Sequence, residues 1–253
     1  MTAALEPTSK RRVALVANTD FYIGPSLALL LAERGHDLVV GDPQDGLVEQ
    51  LEALGAAVEV VTGVKDLADP EAAPRLVGAG LARFGRLDAA AAFSGRVVTG
   101  RFVNSTLDDL REVEQGCLEA PYHFLKAVVP PMVERGGGQV LVVTSASAAR
   151  PTPGAPLYSS VRAAANHLVR NVADEVARFG VQVNALGTNF MDFPEFLRAT
   201  GGNDPAVRAK LEAAVPMRRL GTVEECAALC AAFLDGTSRF MTGQFVAFAG
   251  GWA

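Results

Sequence analysis

The sequence predicts a single doubly wound α/β domain, a parallel sheet of about seven strands with helices on both faces. Three observations lead there. Short β-rich apolar runs alternate with apolar-periodic helical stretches along the chain, the pattern of βαβ units. The 253 residues, 49% hydrophobic and 20% charged, are enough to bury one large core. No linker, repeat or low-complexity tract divides them.

The elements follow in order. The first ten residues, MTAALEPTSK, lack the apolar centre of a signal peptide and read as a disordered lead-in to a domain over 11–253. RVALVA (Arg12–Ala17) is a strand, followed by a helix over Pro25–Arg34. DLVVGD (Asp37–Asp42) leads into the helical GLVEQLEALG, and AVEVVTG (Ala57–Gly63) into a helix over Pro70–Phe84. LDAAAAF (Leu87–Phe93) is alanine-rich, which favours helix. Its place between a helix and a glycine turn makes it a strand. One long helix is expected over Thr106–Glu134. GGGQVLVVTSAS (Gly136–Ser147) holds the clearest strand, and Pro156–Phe179 the next helix. VQVNALG (Val181–Gly187) is a strand, Thr188–Ala214 reads as irregular with short helices, and Thr222–Leu234 is helical. GQFVAFAGG supplies the last strand.

Composition excludes several classes. A net charge of −5 argues against nucleic acid or an anionic membrane as partner. No apolar run reaches the ~18 residues of a spanning helix. Three cysteines, an odd number, suit a reducing cytoplasm. Cys226 and Cys230 share a helix face and read as small core residues, and no ligand cluster suggests a metal. His36, His123 and His167 are isolated and read as structural or surface residues.

In such sheets the ligand site lies beyond the carboxyl ends of the strands. Those ends carry Ala17–Gly24, Phe93–Gly95, Thr144–Ser147 and Gly187–Met191. Ser145 ends its strand, Tyr158 follows thirteen residues later near a helix start, and Arg162 lies one turn beyond. A tyrosine normally ionises near pH ~10. A guanidinium beside it favours the phenolate, so Tyr158 is the candidate general base. Ser145 can hold a substrate hydroxyl. The first turn, ANTDFYIG, is unusual. A nucleotide-binding turn carries three glycines so that backbone can approach a pyrophosphate. Here only Gly24 remains, and Asn18 and Tyr22 fill the other positions.

The Ser145, Tyr158 and Arg162 set resembles the short-chain dehydrogenase/reductase family from Arg12 to the C-terminal AGGWA. That family has a lysine where Arg162 stands. Other family positions differ too. The Asn-Asn-Ala-Gly motif reads AFSG (Ala92–Gly95), and Gly63 or Val64 stands where an adenine-binding acid is expected. Leu118 falls near the helical asparagine, and Thr188-Asn189 replaces Pro-Gly. Asp42 remains where a ribose-binding acid would sit. Within that superfamily the losses are similar to those of the halohydrin dehalogenases, which bind no nicotinamide. Their aromatic-x-glycine turn is matched by Tyr22–Gly24, although Ala17 stands where they carry threonine. GTNFMDFPEF (Gly187–Phe196) resembles their halide loop.

The resemblance implies a Rossmann-like fold, no cofactor, and conversion of vicinal haloalcohols to epoxides with release of halide. In reverse, azide, cyanide, nitrite or halide would open the epoxide. The catalytic residues would be Ser145, Tyr158 and Arg162. Tyr22, Thr188, Asn189, Phe190, Met191, Phe193 and Phe196 would line the halide and substrate site. The resemblance also implies a homotetramer, with the helices of 106–134 and 156–179 paired across one interface. Trp252 would pack across another interface or within its own subunit. Two alternatives stay open: an NAD(P)-dependent oxidoreductase with an atypical cofactor site, and a non-catalytic binding protein of the same fold.

Overall fold

The computed structural model describes residues 11–93 and 95–253. The expected lead-in and Ser94 of the AFSG segment lie outside the described residues. Seven strands form one parallel sheet: β1 (Arg12–Val16), β2 (His36–Gly41), β3 (Val58–Val61), β4 (Ala89–Phe93), β5 (Gly138–Ser145), β6 (Val181–Thr188) and β7 (Phe245–Phe248). Their order is β3-β2-β1-β4-β5-β6-β7, so the chain reverses direction across the sheet between β1 and β4. A crevice opens at such a switch point.

Period-2 alternation divides each strand between two cores. Leu15, Val39, Ala90, Ala92, Val140 and Val142 face one side, against α3 (Ala72–Phe84) and α5 (Ala120–Arg135). Ala14, Val16, Leu38, Val40, Ala89 and Ala91 face the other, against α1 (Gly24–Glu33) and α9 (Val223–Leu234). Strands covered on both faces must be apolar throughout. This is why four consecutive alanines serve as β4 despite their helical propensity: all are at most 1% exposed.

The helix expected over Thr106–Glu134 is broken. α4 (Leu107–Glu114) passes through a π-helical turn, Gln115–Glu119, into α5. Pro121 has no N–H for the Cys117 carbonyl, and its ring would crowd that carbonyl in a regular helix. An inserted residue relieves this. Arg96 also presses on the turn, since a Cβ at Gly116 would stand 2.4 Å from its Cγ. The remaining helices are α2 (Leu47–Ala53), α6 (Pro156–Val176), α7 (Pro194–Thr200) and α8 (Pro205–Ala214).

At the amino end of the sheet, Asp88 is buried and takes both Arg86 N–H groups at 2.7 Å and the Val13 N–H at 2.8 Å. Arg135 also donates to it. His36 is buried here as well. Its Nε2 receives Arg12 Nε at 3.1 Å, so Nδ1 carries the proton toward the Leu31 carbonyl. Burial and the Arg12 charge hold its pKa below the ordinary value, so the ring is neutral and structural. Cys226 and Cys230 are buried core residues. Among the described residues, no helix is long and apolar enough to cross a membrane, and no cluster of ligands could hold a metal.

Candidate active site

β5 delivers Ser145 to the carboxyl end of the sheet, 6% exposed. Its Oγ accepts from the Ser147 hydroxyl at 2.8 Å and the Ser147 N–H at 3.2 Å. With both lone pairs taken, its own proton is left for donation, and it makes only a long 3.4 Å contact to the Thr188 carbonyl. Ser145 is thereby set up as a donor to an incoming oxygen. Ser159, next to Tyr158, donates to the Ser147 carbonyl at 2.7 Å. Thr144 donates to Asn166 at 2.8 Å. These two bonds fix α6 against β5 and so fix Tyr158 relative to Ser145.

Tyr158 and Arg162 stand one turn apart on α6, with the guanidinium carbon 5.1 Å from the phenol ring centroid. Arg162 is 3% exposed. It fits because position 95 is glycine: a Cβ there would lie 2.1 Å from Arg162 Nη2.

The first turn departs from a nucleotide cradle at each point the sequence marks. Asn18 spans three strand ends, accepting from the Phe93 N–H at 3.2 Å and donating to the Lys65 carbonyl at 3.3 Å. Tyr22 sits at φ 56°, a left-handed conformation suited to glycine. A bulky side chain there costs on the order of 1–2 kcal/mol. Its ring lies 4.3 Å from that of Phe193. Burial pushes its phenol well above the usual tyrosine pKa, with Cys226 adding to the effect and the Thr188 hydroxyl opposing it. Tyr22 therefore stays protonated and is no base. Asp42 is committed locally: its two oxygens accept the Gly63 and Val64 N–H groups, each at 2.7 Å.

After β6 the chain forms a single bridge, Met191 to Gly221, through the Phe190 carbonyl and the Asp192 N–H. The Met191 N–H faces the other way, and no acceptor takes it among the described residues. The Phe190 N–H is used by the Asn189 side chain at 2.9 Å. Of the backbone N–H groups of Asn189, Phe190 and Met191, that of Met191 is thus the one left for a ligand, because the Asn189 N–H bonds the Phe248 carbonyl.

One cavity of about 660 Å³ collects Ser145, Tyr158, Arg162, Tyr22, Thr188, Asn189, Met191, Phe193 and Phe196. Phe190 is the exception and corrects the sequence expectation. Its φ of 54° turns the ring away, onto Trp252 at 5.4 Å and Phe196 at 6.2 Å, and it lines a separate cavity behind the loop. Trp252 lies under the Arg150 guanidinium at 4.9 Å, with its carbonyl accepting from Arg150 at 2.9 Å. The sequence places Ser147 and Gly95 at the site's strand ends but gives neither a role. Ser147 had a signal, a second hydroxyl two residues after Ser145. Gly95 did not, because its reason is an arginine 67 positions away.

The Enoyl-(Acyl carrier protein) reductase family model matches residues 18–253. Dehydrogenase/reductase SDR family member 4 of Bos taurus is 30% identical over 95% of this chain and 86% of its own length. The BbsC subunit of (2S)-[(R)-hydroxy(phenyl)methyl]succinyl-CoA dehydrogenase from Thauera aromatica is 31% identical over 98% of this chain and 96% of its own. Among solved structures, a short-chain type dehydrogenase/reductase from Mycobacterium ulcerans superposes with a TM-score of 0.86 at 24% identity, covering 95% of this chain and 89% of that one. The sheet order, the placement of Ser145 and Tyr158, and these matches together mean that the chain belongs to the short-chain dehydrogenase/reductase family.

Proposed function

We propose that this member of the family is a halohydrin dehalogenase, turning vicinal haloalcohols into epoxides and opening epoxides with small anions in reverse. The observation that carries the reading is Tyr22, an aromatic side chain held in a glycine conformation inside the cavity, facing Phe193 and the loop that bears the Met191 N–H. A ring edge and one N–H donor suit a large, weakly hydrated monovalent anion.

The family implies a nicotinamide dinucleotide, and the residues here do not fit one. Asn18 and Tyr22 occupy the positions where glycines let a pyrophosphate approach. The Asp42 carboxylate is held by the Gly63 and Val64 N–H groups, one on each oxygen. Arg162 replaces the lysine and lies against Gly95.

In the proposed reaction Ser145 donates to the substrate oxygen while Tyr158 takes the hydroxyl proton. Arg162 supplies the positive charge against which the phenolate forms. The alkoxide attacks the neighbouring carbon from behind, the new C–O bond closes the epoxide as the C–X bond breaks, and halide leaves toward Tyr22 and the Met191 N–H. The proton passes on to solvent. The step is intramolecular, so holding the reacting atoms in line is the site's main contribution.

The relatives favour a second reading. Those named are dehydrogenases or reductases, and ElxO, similar in fold at 18% identity, was solved with NADP bound. On that reading the chain is an NAD(P)-dependent oxidoreductase with a rebuilt cleft. One experiment separates the two. Nucleotide-free protein is given 1,3-dichloro-2-propanol while chloride and acid are followed, and NADH and NADPH are titrated separately by fluorescence. Chloride release without nucleotide, and no saturable nucleotide binding, is the expected result. Saturable NADPH binding with no chloride release overturns the proposal.

Two substitutions probe the machinery. Ser147→Ala removes the hydroxyl that occupies a Ser145 lone pair, freeing Ser145 to point its proton elsewhere. Chloride release is expected to fall about ten-fold in kcat with little change in KM. An unchanged kcat would separate Ser147 from catalysis. Tyr22→Ala takes away the ring edge, and both the rate and product inhibition by added chloride are expected to weaken about ten-fold or more. Undiminished chloride inhibition would place the halide elsewhere.

A further inference from the structure

A second cavity, about 370 Å³, opens at the amino end of the sheet. β5 begins on its wall at Gly138 and Gln139 and ends at Ser145, roughly 20 Å away at strand rise. The two cavities are therefore separate. Four guanidiniums line this second one, from Arg12, Arg86, Arg135 and Arg239, with a single carboxylate, Asp88. The lining is net positive by three charges in a chain whose net charge is −5.

Asp88 cannot neutralise the rest. Its oxygens are already shared among Arg86, Arg135 and the Val13 N–H. Arg12 spends its Nη2 on the Asp88 and Leu234 carbonyls and on Gln139, a structural clamp. Arg239 is different. It is exposed, donates through Nε to the Gly236 carbonyl at 3.0 Å, and its two Nη groups meet no acceptor among the described residues. Burial lowers the Arg12 pKa, and the nearby charges of Arg239, Arg86 and Arg135 lower it further against the pull of Asp88. The arginines thus feel one another. Gly136, Gly137, Gly138 and Gly180 also line it and bring no side chain into the space. Like charges gathered around one cavity raise the energy of the empty protein, and guanidinium forks match the planar or tetrahedral edges of oxyanions.

We infer that this cavity binds a small multivalent oxyanion, held by Arg86, Arg135 and Arg239 with Arg12 behind them. A phosphate-bearing compound and a polycarboxylate share the chemistry that would be recognised, a compact group of oxygens with two or more negative charges. The binding stands apart from the proposed dehalogenation and is read without any activity.

The test is calorimetric. The purified full-length chain is titrated with inorganic pyrophosphate and, separately, with citrate, at an ionic strength fixed with sodium chloride. Saturable binding of at least one is expected, and Arg239→Ser and Arg135→Gln should each weaken it about ten-fold or more. Arg239 is exposed and donates to the Gly236 carbonyl, so its variant should keep the fold, which a thermal melt checks. Binding of pyrophosphate alone assigns a phosphate ligand, and binding of citrate alone a carboxylate. Binding of both assigns recognition by charge. No saturable binding of either, or binding that is equal in both variants and the parent, overturns the inference.

Discussion

Tyr158→Phe is expected to fold normally and to lose chloride release by on the order of a thousand-fold. The substitution removes one oxygen and leaves the ring, which packs on Val113, Cys117 and Val161 and under the Arg162 guanidinium. The melting temperature should therefore move little while turnover collapses. The loss should lie in kcat, because Ser145 still donates to the substrate oxygen and the cavity walls are unchanged. A variant that still releases chloride within about ten-fold of the parent would mean that another group takes the proton. Tyr22 is the neighbouring phenol, and burial keeps it protonated, so it is a poor substitute.

Asp88→Ala is expected to cost about 3 kcal/mol of stability. It would leave Arg86 and Arg135 without their buried partner and the Val13 N–H without an acceptor. The pH dependence has a definite sign. Burial opposes the Asp88 charge, but hydrogen bonds from Arg86, Arg135 and the Val13 N–H outweigh it and hold the pKa below the ordinary value. The folded value is the lower one. The stabilisation is therefore complete above the unfolded pKa of about 3.9 and is lost as pH falls through the folded value. Urea midpoints of parent and variant should differ by a constant amount from neutral pH to about 5 and converge below about 4. A gap that widens on acidification would contradict the assignment. Because Asp88 is the carboxylate of the arginine-lined cavity, its removal should also tighten pyrophosphate binding there.

Much of the fold could be read in advance. Leu87–Phe93 reads as a strand from its place in the alternation although alanine prefers helix, and β4 (Ala89–Phe93) is flanked on both sides and covered on both faces. Order along the chain overrode propensity because a βαβ repeat leaves one role open at each step. The helix expected over 106–134 is interrupted at its centre. Apolar periodicity runs through Gln115–Glu119, and the π turn comes from Pro121 acting with Arg96, which is distant in sequence. The candidate site was partly legible. Ser145, Tyr158 and Arg162 were found from spacing, since a strand end and one helical turn are local geometry.

The sequence by itself determined the order of the strands' side chains between two cores, the chemistry present at the strand ends, and the loss of the glycine turn at Asn18 and Tyr22. Only the tertiary structure decided which way groups point and which are already occupied. It turned Phe190 onto Trp252 and left the Met191 N–H without an acceptor among the described residues. It filled the Ser145 lone pairs from Ser147 and committed Asp42 to two N–H groups. It also gathered Arg12, Arg86, Arg135 and Arg239, from four segments, around one cavity. The physical reason is one of range. Helix and strand periods act between near neighbours in the chain, whereas hydrogen-bond saturation and charge clustering depend on contacts that exist only once the sheet has brought distant segments together.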